Sequence, residues 1–363
     1  MRASVSVGVG QGFQTRDVAL DDAQGREVLV EVRASGLCHS DLHLVENDYG
    51  FPMPAVFGHE IAGVVAAVGP DVTQVAVGDH VVGSLIQACG DCRNCHAGLS
   101  FDCLHPERTL RTEGKSRISM DGTDMAQAFG LSGFAPQALV DERQLAVVNR
   151  EIPFPQASLL GCGVITGAGA AINASAVRVG DTVAVIGTGG VGLNAISGAQ
   201  IAGALRIIAV DVQVAKLEVA QRFGATDVVN SAEADAVSAI RELTGGAGVD
   251  HAFEVIGLTQ TQQQAIDATK VGGTANLVGM GKPGSTIALD ASVGLLEGRK
   301  RVQGVKMGST NIKHDIPMYA DLYVQGRMNL DDLVSQEIGI DDVQEAYEQL
   351  KRGEVIRSVV TRF

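Results

Sequence analysis

Apolar runs alternate with segments of helix length through the second half of the chain, and one junction between them carries a glycine-rich hexapeptide. Residues 182–186 (TVAVI) form an apolar run, residues 187–192 (GTGGVG) follow at once, and the next apolar run, RIIAVD, ends at Asp211. Strands that alternate with helices of this length indicate a parallel, doubly wound sheet. The sequence therefore predicts an α/β fold with a doubly wound parallel sheet over residues 164–299.

The hexapeptide predicts a dinucleotide site, because it joins a strand to a helix and an acid follows 19 residues after its last glycine. In this setting Gly187 makes the tight turn, Gly189 lets a pyrophosphate approach the helix N-terminus, and Gly192 lets helix and strand pack closely. Asp211 can accept the ribose hydroxyls but would repel a 2′-phosphate, so NAD is predicted over NADP. The alternative is that the glycines serve packing alone. The candidate cofactor residues here are Gly187, Gly189, Gly190, Val191, Gly192 and Asp211.

Four of the six cysteines lie within fifteen residues, in the pattern C-x₂-C-x₂-C-x₇-C. They are Cys89, Cys92, Cys95 and Cys103. Four thiolates at such spacing suit tetrahedral Zn²⁺, and a site filled by sulfur leaves no position for water or substrate. A structural zinc site is therefore predicted. The alternatives are an iron–sulfur site, which uses similar spacings, and free thiols.

The other two cysteines, Cys38 and Cys162, stand far apart in the chain, as does His59 in the triplet GHE. Two thiolates, one imidazole and a free fourth position would form a catalytic zinc site. Taken singly, however, a buried cysteine is usually part of a core. The residues alone leave both interpretations open.

Composition and charge limit the classes of function. The chain carries 28 basic and 42 acidic residues, a formal net charge of −14, so neither nucleic acid nor a membrane is expected as a partner. The N-terminus lacks the apolar core of a signal peptide, and no apolar run reaches the ~18 residues that span a bilayer. A cytoplasmic protein is predicted. Its 363 residues suggest two domains, a β-rich one over 1–163 and 300–363 and one with the doubly wound sheet over 164–299.

Several of these segments together resemble the zinc-containing medium-chain alcohol dehydrogenases. The segments are GLCHSDLH, GHE, the cysteine-rich stretch, LLGCGVITG, GTGGVG with Asp211, and IRSVV. They occur in the family's order, and the similarity covers essentially the whole chain. The resemblance implies a GroES-like catalytic domain, a Rossmann domain and an active site in the cleft between them.

The resemblance also implies the ligands of the catalytic metal. Cys38, His59 and Cys162 would hold a catalytic zinc, and Glu60 would be an occasional ligand or a close neighbour of the metal. Asp41 would orient the imidazole of His59. With the four-cysteine site, two zinc ions per chain are expected.

Further roles are implied for the proton path, the cofactor and the substrate. Ser40 and His43 would carry the alcohol proton to water by way of the nicotinamide ribose. The other implied cofactor contacts are His39 and Arg357 at the pyrophosphate, Lys216 at a ribose, and Thr166 with Val191 at the nicotinamide. The substrate channel would be lined by Tyr49, Leu85 and Phe129, unless these side chains only pack the core.

The function implied by the resemblance is reversible hydride transfer between an apolar alcohol and NAD, giving an aldehyde or ketone. The long segment 104–128 resembles that of the longer-loop family members, which are typically dimers, so the resemblance implies a homodimer, although a homotetramer stays open. Within the same family, the alternatives are a glutathione-dependent formaldehyde dehydrogenase and an enzyme that keeps its nicotinamide bound and uses an external acceptor. A zinc- and nucleotide-binding protein without catalysis is a third alternative, but it would be expected to lack a ligand or relay residue.

Overall fold

Strands run through both halves of the chain in the computed structural model, which describes residues 1–111 and 113–363. In chain order the strands are β1 (Arg2–Ser6), β2 (Gln14–Asp17), β3 (Ala19–Leu20), β4 (Glu27–Gly36), β5 (Ala55–Val56), β6 (Glu60–Val68), β7 (His80–Gly83), β8 (Ile118–Met120), β9 (Thr123–Asp124), β10 (Ala126–Gln127), β11 (Gln137–Asp141), β12 (Leu145–Val147), β13 (Thr182–Ile186), β14 (Arg206–Asp211), β15 (Asp227–Asn230), β16 (Val249–Glu254), β17 (Thr269–Leu277), β18 (Arg301–Gly304), β19 (Val334–Gly339) and β20 (Arg357–Arg362).

The longer helices are concentrated in the second half of the chain. In chain order the α-helices are α1 (His39–Glu46), α2 (Arg93–His96), α3 (Phe154–Leu159), α4 (Ile165–Gly169), α5 (Gly190–Ala202), α6 (Val214–Arg222), α7 (Ala236–Leu243), α8 (Thr259–Ala268), α9 (Ile312–Val324) and α10 (Val343–Lys351). Two π-helical turns, Leu160–Val164 and Ala170–Ala174, join α3 and α4 into one helix from Phe154 to Ala174. Its length and composition would suffice to cross a membrane, but 78% of its most apolar window is buried inside the protein, as in a core helix.

The first unit, which comprises Met1–Cys162, Asn311–Gly326 and Leu330–Phe363, is rich in strands. Its largest sheet has the order β12-β7-β6-β4-β20-β19, and β11 also pairs with β4. Two smaller sheets have the orders β10-β5-β1-β2 and β3-β8-β9. Val28 and Val30 of β4 are both buried in the core of this unit, because alternate residues of a strand face the same side.

Six parallel strands form the sheet of the second unit, in the order β15-β14-β13-β16-β17-β18. The first strand of the unit, β13, lies between β14 and β16, which is the strand order of a Rossmann fold. Ile186, Ile208 and Ala252 of adjacent strands are buried in one core, as expected for parallel strands covered on both faces. The predicted α/β class with a doubly wound parallel sheet is confirmed.

The predicted domain limits differ from the compact units near residue 300. The second unit comprises Gly163–Thr310 and Arg327–Asn329, whereas residues 300–310 were assigned to the first domain. The reason is that β18 pairs in parallel with β17 and completes the sheet. A π-helical turn, Ala291–Glu297, precedes β18 where the earlier strands have an α-helix, so the strand–helix alternation is interrupted there.

A buried cluster of charges anchors the long segment 104–128 to β4. The Arg117 Nε atom donates to Glu27 Oε1 over 2.8 Å, and the Arg111 Nε atom donates to the same oxygen over 2.9 Å. Arg111 also pairs with Asp21. Burial alone would raise the pKa of Glu27, but the two guanidinium groups lower it below its usual range. The carboxylate therefore stays ionised inside the protein.

We predict that Glu27→Gln lowers the free energy of unfolding at pH 7 by about 2–4 kcal/mol, because the buried guanidinium of Arg117 loses its carboxylate partner and that of Arg111 keeps only Asp21. Since the pKa of Glu27 is lower in the folded state, its contribution is fully present above the unfolded pKa and disappears as the pH falls through the folded pKa. Urea unfolding at pH 7 and near pH 3 should show the difference between variant and wild type shrinking with acid.

The matched control is Glu31→Gln, since Glu31 and Arg33 form an ion pair on the same strand with side chains 46% and 53% exposed. This substitution should change the stability by less than about 0.5 kcal/mol. Equal losses in the two variants would contradict the anchoring role of Glu27.

Candidate metal and cofactor sites

Three separated stretches of the first unit bring four potential metal ligands together. Each of the four residues offers one ligand atom, and these atoms all lie within 4.8 Å of one another. The residues are Cys38, His59, Glu60 and Cys162. All four residues are buried. The convergence expected from the family resemblance is therefore present in the structure.

Local backbone structure fixes where each of these side chains starts. Cys38 is the N-cap of α1, directly after β4, and Cys162 lies in the π-helical turn that follows α3. His59 and Glu60 begin β6 after Gly58, which has φ +90°. A Cβ atom at Gly58 would lie 2.7 Å from the backbone nitrogen of Phe134, so only glycine fits this approach.

His59 is held by a buried carboxylate. Its Nδ1 atom lies 2.9 Å from Oδ1 of Asp41, and both side chains are fully buried. Burial lowers the pKa of His59, but the charges of Asp41 and Cys38 outweigh it and raise that pKa well above the usual value. The Nε2 atom is buried as well. An imidazole oriented by a carboxylate through one nitrogen is the arrangement of a metal ligand.

The two thiols of this group cannot both ionise without a cation. A hydrogen bond from Cys162 lowers the pKa of Cys38 well below its usual range, against the effect of burial. The same contact, together with burial, raises the pKa of Cys162 well above its usual range. Two sulfurs and one imidazole nitrogen are ligands that Zn²⁺ prefers. The residues present therefore fit a zinc ion.

Arg357 lies beside the same group of ligands. Its guanidinium is buried, and its Nη2 atom lies 3.9 Å from Oε1 of Glu60. The positive charge partly neutralises the carboxylate that is packed against the two thiols. The implied contact of Arg357 with a pyrophosphate stays a prediction.

Helix α1 carries the side chains assigned to the proton path. Ser40 is half-buried, and its Oγ atom lies 3.7 Å from the sulfur of Cys38. His43 lies one turn further along and is half-buried, whereas His39 is exposed. The rings of His39 and His43 are 6.5 Å apart. The helix therefore places Ser40 next to the metal ligands and the two histidines nearer to its surface.

Of the three proposed pocket residues, the structure brings one to the metal ligands. The ring of Phe129 stands edge-on to that of His59, with a centroid distance of 5.2 Å. Phe129 has φ +54°, a left-handed conformation that is uncommon for a bulky residue. Leu85 is half-buried just after β7, and Tyr49 is 46% exposed in the loop after α1. A lining role for these two residues stays a prediction.

The four clustered cysteines form the second group. The sulfurs of Cys92 and Cys95 are 3.5 Å apart, and the ligand atoms of all four cysteines lie within 4.8 Å of one another. Backbone N–H groups of Leu104 and Cys95 lower the pKa of Cys92 to about 6, while burial raises that of Cys95 to about 12. Four thiolates this close need a cation, and tetrahedral Zn²⁺ fits this donor set.

In the second unit the glycine-rich hexapeptide lies between β13 and α5. Gly189 is the N-cap of α5, and a Cβ atom there would have nothing within 4 Å, so a ligand can approach its backbone. At Gly192, however, a Cβ atom would lie 1.9 Å from the carbonyl oxygen of Gly187. Gly187 itself has φ +98°. Gly190 and Val191 begin the helix. These features are the ones that the sequence pattern predicts for a phosphate-binding turn.

Asp211 ends β14 next to this turn, and a residue that the sequence reasoning missed holds it there. Both the backbone N–H and the hydroxyl of Thr188 donate to Oδ2 of Asp211 over 2.9 Å. The signal was a hydroxyl residue between the first two glycines of the motif. The Oδ1 atom of Asp211 accepts from the backbone N–H of Gln213. The carboxylate is thus fixed at the carboxyl edge of the sheet, where ligands of such folds bind.

Two further residues assigned to the cofactor also lie in the second unit. Lys216 is half-buried in the first turn of α6, the helix that follows Asp211. Thr166 is in α4, with its hydroxyl 3.7 Å from the sulfur of Met307. The contacts of both residues with a nucleotide stay predictions.

Comparisons with known proteins match both units. A family model described as alcohol dehydrogenase GroES-like domain matches residues 24–153, and one described as zinc-binding dehydrogenase matches residues 190–325. The chain is 40% identical to the NDMA-dependent alcohol dehydrogenase of Amycolatopsis methanolica, over 99% of this chain and 98% of that protein. It is 35% identical to an S-(hydroxymethyl)glutathione dehydrogenase of Synechocystis sp., over 99% of each chain. The crystal structure of benzyl alcohol dehydrogenase from Acinetobacter calcoaceticus superposes with a TM-score of 0.94 and 36% identity, covering 100% of this chain and 99% of that one.

A Rossmann-type sheet, a GroES-like unit and two groups of potential zinc ligands define a zinc-binding dehydrogenase. The chain belongs to the zinc-containing alcohol dehydrogenases of the medium-chain dehydrogenase/reductase superfamily, as its motifs predicted. It is an oxidoreductase that acts on alcohols.

Proposed function

We propose that this protein interconverts apolar alcohols and their aldehydes or ketones by reversible hydride transfer to NAD, and that Cys38, His59 and Cys162 would hold a zinc ion that supplies Lewis-acid chemistry to the reaction. The observation that carries the proposal is the convergence of two buried thiols and one carboxylate-held imidazole from three distant segments. Glu60 is next to these ligands and can serve as a transient fourth one. The four-cysteine group would hold a second, structural zinc ion.

Different residues of this chain are assigned to different parts of the reaction. When bound, zinc supplies a Lewis acid, which lowers the pKa of a bound water from about 15.7 to about 7 and acts similarly on an alcohol. Ser40, beside Cys38, takes the alcohol proton at its Oγ atom, and His43 passes that proton on to water. Phe129 packs against His59 and gives this side of the site an apolar wall. An apolar substrate suits such a wall.

The cofactor assignment to NAD is supported by the position of Asp211. Its carboxylate, fixed by two donors from Thr188, can accept both hydroxyls of an adenosine ribose. A 2′-phosphate would meet this negative charge at close range. The N-terminus of α5 and the open approach at Gly189 suit the pyrophosphate. Further contacts to the cofactor are part of the proposal, and they would come from His39, Lys216, Thr166, Val191 and Arg357.

We predict that Cys38→Ser lowers the zinc content from two ions to one and reduces kcat by at least about 1,000-fold, because a zinc ligand and the Lewis acid are lost. NAD binding should change by less than about threefold, since the nucleotide residues are intact. Elemental analysis, turnover of benzyl alcohol and calorimetric titration with NAD measure the three quantities. Retained turnover would remove Cys38 from the zinc site.

The same substitution in the other group serves as the comparison. Cys95→Ser should also lose one zinc ion, but its main effect should be on the melting temperature, because structural zinc contributes folding energy. If both variants lost turnover equally while remaining folded, the division into catalytic and structural sites would be contradicted.

We predict that Asp211→Ala shifts the ratio of kcat/KM for NAD over NADP towards NADP by about tenfold or more, the equivalent of ~1.4 kcal/mol. The control is Asp227→Ala, which removes an acid from the amino end of the adjacent strand β15. This control should leave the ratio unchanged. An unaltered ratio in Asp211→Ala would contradict its ribose role.

A second candidate is an enzyme that keeps its nicotinamide bound and passes electrons to an external acceptor. It is favoured by the 40% identity to an NDMA-dependent alcohol dehydrogenase. Purified protein should be analysed for copurifying nicotinamide and assayed with NAD or with NDMA as the acceptor. Bound cofactor and turnover with NDMA alone would select this candidate, whereas NADH formation would select the first. Adding glutathione with formaldehyde tests the glutathione-dependent alternative, to which the Synechocystis relative corresponds.

We further propose that the protein is a cytoplasmic homodimer. Support for self-association comes from four large apolar side chains that are exposed within eight consecutive residues of the second unit. They are Leu289, Val293, Leu295 and Leu296. The strand β18 lies at the edge of the parallel sheet of the second unit. The backbone groups on its outer side are therefore not paired with another strand of the described residues. Sedimentation velocity gives the mass in solution, and a monomer at micromolar concentration would contradict the proposal.

A further inference from the structure

The carboxylate of Asp41 is the centre of a small buried network. Three groups reach it, namely Nδ1 of His59 at 2.9 Å, the backbone N–H of Gly58, and the hydroxyl of Tyr347, which donates to Oδ2 over 3.4 Å. Tyr347 lies in α10, 306 positions further along the chain. The side chains of Asp41 and Tyr347 are fully buried. Water therefore cannot easily replace a missing donor.

Aromatic packing fixes the ring of Tyr347 independently of its hydrogen bond. The ring stacks on that of Phe13, with a centroid distance of 4.8 Å and an interplanar angle of 13°. It also meets Phe134 edge-on at 6.3 Å. One turn earlier in α10, the side chain of Gln344 accepts a hydrogen bond from the backbone N–H of Phe13 over 2.8 Å. The hydroxyl is thus presented to Asp41 by a rigid support.

The hydroxyl of Tyr347 acts only as a donor towards Asp41. Burial and the negative charge of Asp41 raise the pKa of Tyr347 well above its usual value, so the group keeps its proton. The Oδ2 atom of Asp41 is the acceptor of this hydrogen bond. The direction of the interaction is therefore set.

We propose that Tyr347 is a positioning residue for the catalytic metal site, in which its hydroxyl holds the carboxylate of Asp41 and Asp41 in turn holds the imidazole of His59 towards the metal. The inference rests on the proposed zinc ligands. Partners of ligating histidines tune metal affinity, and losing such a partner costs about 10–100-fold. The contact of Tyr347 is one step further out and longer than an ordinary hydrogen bond, so a smaller effect is expected.

The test compares Tyr347→Phe with Tyr319→Phe. Tyr319 is equally buried in the first unit, and its hydroxyl has no hydrogen-bond partner among the described residues. Zinc release to a chromophoric chelator is followed in the purified full-length proteins. The phase missing from Cys38→Ser identifies the catalytic site. Tyr347→Phe should release this zinc about threefold to tenfold faster, while Tyr319→Phe should match the wild type.

A double-mutant cycle with Asp41→Asn separates positioning from general loosening of the core. If Tyr347 acts through Asp41, Tyr347→Phe should accelerate zinc release little or not at all once Asp41 is Asn. Co²⁺ substituted at the site gives a second readout, since its absorption bands report ligand geometry. These bands should shift in Tyr347→Phe and stay unchanged in Tyr319→Phe.

Other results would overturn either the role of Tyr347 or the proposed zinc ligands. Wild-type release from Tyr347→Phe, equal acceleration in both tyrosine variants, or additive effects with Asp41→Asn would overturn the role of Tyr347. If Cys38→Ser still bound two zinc ions, the proposed ligand set itself would fail. The two failures are therefore distinguishable.

Discussion

Two thiols, an imidazole and a carboxylate are buried within a few ångströms of one another. This concentration of ionisable groups is the main constraint on the structure of the first unit. Such groups lose their hydration on folding, a cost that is recovered only when charges and donors are matched. Three structural elements supply the matching charges and hydrogen-bond donors. Helix α1 brings Cys38 together with Asp41, β6 brings His59 together with Glu60, and Arg357 at the start of β20 brings a positive charge.

The cofactor half of the protein could be predicted closely because its determinants are local. The strand, the turn, the helix and Asp211 occupy about thirty consecutive residues, so sequence spacing determines their geometry. The four-cysteine site was equally accessible, since its pattern spans fifteen residues. By contrast, Cys38 and Cys162 are 124 positions apart. Only the order of several family motifs suggested that they meet, because no local spacing relates one strand end to a distant helix.

Contacts across long separations account for what the sequence could not predict. Nothing in the residues around Arg357 indicates that its guanidinium is buried against Glu60. A tyrosine in an amphipathic helix such as α10 is predicted only to be a core residue.

Tertiary packing also determines which of the proposed pocket residues lies next to the metal ligands. The left-handed backbone of Phe129 turns its ring onto His59, whereas the loop that carries Tyr49 leaves that side chain 46% exposed. The place of β18 in the sheet of the second unit was not predicted, because a π-helical turn and not an α-helix precedes this strand.

The four-cysteine site also has a chemical vulnerability. With Cys92 and Cys95 sulfurs 3.5 Å apart and the pKa of Cys92 at about 6, a lobe stripped of zinc holds a reactive thiolate against a neighbouring thiol. Mild oxidants convert such a pair to a disulfide, which can no longer bind the ion. Demetallation in air would then become a one-way process until a reductant is supplied. Handling under reducing conditions follows directly from this arrangement.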